Sequence, residues 1–139
     1  MKEKTLIYDG SFEGFLSAVF YVFEYKLKNV HIQNKFITQS GLFSENEHII
    51  TEKNKADRVW LGLKKKASIP STTKIYYAFL SEKTNIENTL LDYIQYIFNH
   101  KEKVDTDFTQ LSVLKTSKIA KNVSREKHRM EAFVRFKLT

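Results

Sequence analysis

From Phe12 onward, apolar residues fall three and four apart: Phe12, Phe15, Leu16, Val19, Phe23 and Leu27. That is the period of a buried helical face, and it predicts a helix from Ser11 to about Lys28. Phe20, Tyr21 and Val22 add apolar surface around the remainder, so this helix is expected to be central. Ahead of it, TLIYD (Thr5 to Asp9) reads as a short strand that ends at an Asp-Gly. Asp9 or Ser11 can cap the first N–H groups of the helix. Asn29 to Ser44 is the least regular stretch, and HIQNKFITQ within it reads as a short strand or a loop. HIITE (His48 to Glu52), β-branched at its centre, reads as a better strand.

KADRVWLGLKKKA predicts a second helix, with Val59, Trp60 and Leu63 inward and Lys64, Lys65 and Lys66 outward. Pro70 and the Ser-Thr-Thr after it break that helix and start the next. There Ile75, Tyr76, Phe79 and Leu80 form one apolar stripe. A break near Thr84 and Asn85 leads to another stripe, Ile86, Leu90, Leu91, Ile94, Ile97 and Phe98. KEKVDTD is a polar connector, and Asp105 or Asp107 can cap a final helix running to about Met130. EAFVRFKLT then alternates in a β-like way. A terminal strand needs a partner, because an unpaired edge is costly, and Thr5–Tyr8 is the natural one. The expected fold is α+β and mostly α-helical: a single domain over residues 1–139, with a small antiparallel sheet joining the N-terminal strand to the C-terminal strand Phe133–Leu138.

Composition narrows the function classes. The 139 residues are 42% hydrophobic and 14% aromatic, enough to build a core rather than a disordered chain. With no Cys there are no disulfides, thiolate nucleophiles or thiolate metal sites, which fits a cytoplasmic protein. The N-terminus lacks the apolar run of a signal peptide, and no segment approaches the length of a membrane span. The formal charge of +7 is regional: Lys115 to Lys137 holds eight Lys/Arg against two acids, and the rest of the chain is close to neutral. A region of one sign attracts polyanions, nucleic acid first among them.

Motifs for catalysis are sparse. There is no Walker loop, GxGxxG, HExxH or GxSxG, and His31, His48, His100 and His128 have no ligand spacing. No cofactor or metal is expected. Asp9 at the start of a helix could border a phosphate site, but a carboxylate already placed there repels phosphate, so capping is the better reading. Trp60 could stack on a base, although its helical position favours packing. The basic region carries more weight. Lys118, Lys121, Arg125 and Arg129 follow three- and four-residue steps and share a face, with His128 beside them and Arg135 further on. Such a stripe can track a phosphate backbone. The competing structural reading is a solvated helix whose arginines pair with acids elsewhere.

Four segments resemble the bacterial "probable DNA metabolism protein" family, catalogued as a domain of unknown function: YDGSFEGFLSAVF at Tyr8–Phe20, ADRVWLGL at Ala56–Leu63, YYAFLSE at Tyr76–Glu82 and VSREKHRMEAFVRF at Val123–Phe136. The resemblance implies a role in DNA repair. Family members are typically encoded beside a radical S-adenosylmethionine protein, and a similar domain is fused elsewhere to a uracil-DNA glycosylase-like domain. This chain has no CxxxCxxC motif and no recognisable glycosylase motif, so any chemistry is expected from a partner. The family usually continues past the Arg135-Phe136 strand, which implies a chain truncated at its C-terminus.

The expected function is therefore a non-catalytic module that helps a DNA repair or modification enzyme engage DNA. Lys118, Lys121, Arg125, His128, Arg129 and Arg135 would contact phosphates. Two other readings stay open. One is a nucleic-acid-processing enzyme using Asp9, Glu13 and His128. The other is an interaction domain docking on an acidic protein.

Overall fold

The computed structural model describes residues 3–36 and 45–138, with side chains through Lys127. The chain forms two compact units, Met1–Lys66 and Ala67–Thr139.

The first unit is built on β1 (Lys4–Tyr8), α1 (Phe12–Glu24), β2 (Val30–Asn34), β3 (Glu45–His48) and α2 (Lys53–Lys66). The strands form one sheet in the order β2-β1-β3. Both pairings are parallel, with Leu6 opposite Ile32 on one side and Glu47 on the other. The expected antiparallel pairing of Thr5–Tyr8 with Phe133–Leu138 is therefore incorrect. β1 is occupied along both edges, and residues 133–138 are helical. Thr5, Leu6, Ile7 and Tyr8 are all buried, the continuous burial of a central parallel strand rather than the alternation of a half-exposed one. α1 packs its Phe15, Leu16, Ala18, Val19 and Val22 inward and lies against α2.

Two boundaries in this unit differ from the pattern reading. α1 stops at Glu24, because Lys26 takes a left-handed conformation with φ of 49°. The Lys26 N–H donates to the Phe23 carbonyl at 3.3 Å and the Leu27 N–H to the Val22 carbonyl at 3.0 Å. These are the paired bonds of a Schellman cap, with Lys where Gly is usual. β3 covers Glu45–His48 rather than His48–Glu52. Its ladder runs out with β1, and Ile50 is left 78% exposed. The chain then turns at Glu52, whose N–H donates to the Ser17 hydroxyl at 3.0 Å and whose carbonyl accepts the first bond of α2 from Ala56.

The second unit holds α3 (Ile69–Leu80), α4 (Ile86–Phe98) and α5 (Leu111–Leu138). α5 packs on both α3 and α4 around Ile75, Ala78, Phe79, Leu90, Ile94, Ile97, Val113 and Ala120. Pro70 lies in the first turn of α3, where its missing N–H has no intrahelical partner to lose. Neither Asp105 nor Asp107 caps α5. Asp105, only 4% exposed, instead serves the start of α3. Its Oδ2 accepts from the Ser68 N–H at 3.0 Å, the Ser68 hydroxyl at 2.8 Å and the Ser71 hydroxyl at 2.6 Å. Its carbonyl accepts the buried Tyr93 hydroxyl. Asp107 accepts from Tyr96 and Thr109 at 2.5 Å each, and the first helical bond of α5 comes three residues later, to Gln110. α5 continues through 133–138, where a strand was expected. The sequence explains the outcome: Val134 follows Thr116 by 18 residues, five full turns, and Met130 and Leu138 lie one turn to either side of it, so the helical period continues.

Candidate nucleic-acid interface

α5 sorts its residues by face. Val113, Thr116, Ser117 and Ala120 are buried, whereas Lys115, Lys118, Lys121, Asn122 and Arg125 are exposed. Lys115, Lys118, Asn122 and Arg125 follow steps of three and four, which puts them in one row, with Lys121 on its flank. At 1.5 Å per residue the run from Lys115 to Arg125 spans about 15 Å, the length of duplex axis over which one strand presents about four phosphates at about 3.4 Å of rise each. Among the described residues, none of these four cations is in an ion pair; the pairs are His31 with Glu3 and Lys55 with Glu52. Of the six residues expected to contact phosphate, the structure thus places Lys118, Lys121 and Arg125 together on an open face. His128, Arg129 and Arg135 lie on the same helix, with side chains outside the described residues.

Lys127 follows Arg125 by two residues and so leaves the row. Its Nζ donates to the Tyr77 hydroxyl at 3.3 Å and sits 5.5 Å from that ring, against α3. Tyr76 is also misjudged as core: Ile75 and Phe79 are buried, but Tyr76 is 39% exposed and Leu80 48%. The period alone groups all four residues. Only the position of α5 decides which of them it covers.

The Asp9 site belongs to the first unit. Ser11 is the N-cap of α1, its hydroxyl accepting from the Gly14 N–H at 2.9 Å. Asp9 stands behind it. Its Oδ1 accepts from the Ser11 N–H at 2.9 Å and the Ser11 hydroxyl at 2.6 Å, and its Oδ2 from the Thr51 hydroxyl at 2.8 Å. Burial opposes the charged form, but the bonds from Ser11 and Thr51, with Lys35 nearby, outweigh it and hold the carboxyl below its ordinary value. An ionised carboxylate with both oxygens engaged is an anchor between β1 and the segment entering α2. Gly14 makes the approach possible: a Cβ there would overlap Oδ1 of Asp9 and come within 3.0 Å of the Thr51 hydroxyl oxygen. Gly10, with φ of 91°, makes the turn that leads into α1.

Elsewhere in the first unit, Trp60 is half-buried and meets Phe12 edge-on at 5.4 Å, as the packing reading expects. A cleft of about 180 Å³ is lined by Phe20, Tyr21, Tyr25, Glu24, Glu47 and Glu52, among others. No group of three or more His, Asp or Glu among the described residues could hold a metal ion. No helix among them is long and apolar enough to cross a membrane.

Residues 84–139 match the model of a family described as a domain of unknown function (DUF4130). The match takes in α4, the connector and the whole of α5, and of the four resembling segments it contains the last. Comparison with curated proteins found no match, nor did comparison with solved structures.

Proposed function

We propose that the chain is a DNA-binding accessory module, acting in the cytoplasm, that brings nucleic acid to a repair or modification enzyme through the basic face of α5. The observation that carries this reading is the exposed row of Lys115, Lys118, Lys121 and Arg125, none of which is in an ion pair among the described residues. Like charges on consecutive turns repel one another, and a polyanion relieves that repulsion. Phosphate contacts of this kind position a protein without reading sequence. The resemblance to the DNA-metabolism family supports DNA as the polyanion. It also supports a radical S-adenosylmethionine protein or a uracil-DNA glycosylase-like domain as the partner that performs the chemistry.

The test is duplex binding by wild type and by the Lys118→Ala/Arg125→Ala double variant on two unrelated sequences. The variant is expected to keep its circular dichroism and lose affinity for both sequences equally. Undiminished binding in the folded variant would remove α5 from the DNA site. A wild-type chain that ignores DNA, in a protein whose double variant loses its enzyme partner, would replace the reading with docking on an acidic protein.

A further inference from the structure

The cleft of about 180 Å³ in the first unit has a chemistry opposite to that of α5. Small-molecule pockets run to about 300–1,000 Å³, so this one has room for a single extended side chain. Phe20, Tyr21 and Tyr25 supply its aromatic lining, the two tyrosine rings 4.5 Å apart. Glu24, Glu47 and Glu52 line it against one ammonium, Lys55, so with His48 neutral it stays acidic in a chain whose formal charge is +7. Lys55 shows what such a lining holds. Its Nζ lies 2.8 Å from the Glu52 carboxylate and 5.5 Å from the Phe20 ring, an ammonium between an acid and an aromatic face. The Arg58 guanidinium is 5.5 Å from the same ring, and the Lys4 ammonium 5.5 Å from that of Tyr21.

Tyr25, Glu24 and Glu47 repeat the pairing of ring and acid. Tyr25 is 58% exposed, and among the described residues neither Glu24 nor Glu47 is in an ion pair. Lys55 also lies in the field of Glu24, but one ammonium does not balance three carboxylates. Among the described residues these acids do not converge closely enough to hold a metal ion. An ammonium or guanidinium on a flexible stem matches the lining better, taking a ring face and a carboxylate together. Glu47 and His48 belong to β3, the outer strand of the sheet, whose far edge pairs with no strand among the described residues. An extended peptide adds to such an edge through main-chain hydrogen bonds while its side chains enter adjoining pockets. We propose that this cleft receives a Lys or Arg side chain of a basic partner peptide, seated by Glu24, Glu47 and the Tyr25 ring. The site lies in the unit outside the family match and does not depend on the reading of α5.

Fluorescence anisotropy of the full chain with a labelled peptide of alternating Lys and Thr tests it. A peptide of alternating Glu and Thr is the control, and unlabelled spermidine is the competitor. The chain should bind the Lys peptide and not the Glu peptide, although its own charge of +7 favours the reverse. Glu24→Gln and Glu47→Gln should each weaken binding about three- to fivefold, the upper range for an exposed ion pair. Tyr25→Leu should weaken it about threefold, as for one exposed cation–ring contact. Asp57→Asn removes the same charge from an exposed position of α2 outside the cleft and should change nothing. Thermal melts should be alike in all four variants. Spermidine, with no main chain to add to β3, should bind at least about tenfold more weakly than the peptide. Absent binding of the Lys peptide, or binding unchanged in the folded Glu24 and Glu47 variants, would overturn the proposal. Spermidine as tight as the peptide would overturn the peptide as occupant and make the cleft a site for free polyamines.

Discussion

Asp105 joins the connector to α3, and its removal should unfasten the helical unit. One oxygen, Oδ2, receives three donors. Hydrogen bonds to a charged acceptor contribute about 1.5–3 kcal/mol each. In Asp105→Ala the Ser71 hydroxyl, 2% exposed, loses its acceptor in a place water does not reach, which costs about 2 kcal/mol. Ser68 is half-exposed, so water replaces part of what its two donors lose, and about 1 kcal/mol each is a fair charge. Set against these is the release of a carboxylate from burial, which leaves a net loss of about 3 kcal/mol. Asp105→Asn should cost about half as much, since an amide oxygen in the place of Oδ2 keeps all three donors and loses only the charge.

The pH dependence follows from the same contacts. Burial pushes the carboxyl up, but the Ser71 and Ser68 bonds prevail and hold it below its ordinary value. The unfolded chain thus takes up the proton first. The contribution is complete above the ordinary carboxylate value of about 4 and fades as pH falls through the depressed folded value. Urea melts followed by circular dichroism at pH 7 and pH 3 check both parts, because the elements of this unit are helices. The gap between wild type and Asp105→Ala should narrow at pH 3. An Ala variant within about 0.5 kcal/mol of wild type at pH 7, or an Asn variant as damaged as Ala, would refute the argument.

Three further outcomes are expected of the first unit. Gly14→Ala should destabilise by about 1–2 kcal/mol although helix propensity alone favours Ala by about 1 kcal/mol, because the added methyl displaces Asp9 from Ser11 and Thr51; Trp60 fluorescence in urea measures it, and a stabilised variant would contradict the contact. Asp9→Asn should be milder than Asp9→Ala, which is expected to lose about 1 kcal/mol through a weakened cap, in the same melts. Lys26→Gly should raise stability by about 0.5–1 kcal/mol by relieving the left-handed conformation at the end of α1, read as an upward shift in the urea midpoint.

The helices were legible because their apolar period is strong: α1, α3 and α4 begin where Ser11, Pro70 and Asn85 indicate. The sheet was not. Glu45–His48 is fully exposed and polar, so nothing in its pattern marks a strand, and its place depends on the free edge of β1. The end of α1 was missed because its left-handed cap uses Lys26 rather than Gly. At the far end, the Phe133 to Leu138 stretch satisfies two periods at once, and continuity with the packed face of α5 decides for helix. The basic row was visible in the spacing of its charges, since i, i+3 and i+4 neighbours share a face whatever the helix packs against.

The salt dependence of duplex binding tests the central claim most directly. Neutralising about four phosphates with Lys115, Lys118, Lys121 and Arg125 predicts that log K falls against log salt with a slope of about −3.6. The folded Lys118→Ala/Arg125→Ala variant should give about −1.8, with affinity reduced alike for every sequence. A wild-type slope near zero, or an unchanged slope in the folded double variant, would contradict the assignment of α5 as the nucleic-acid surface.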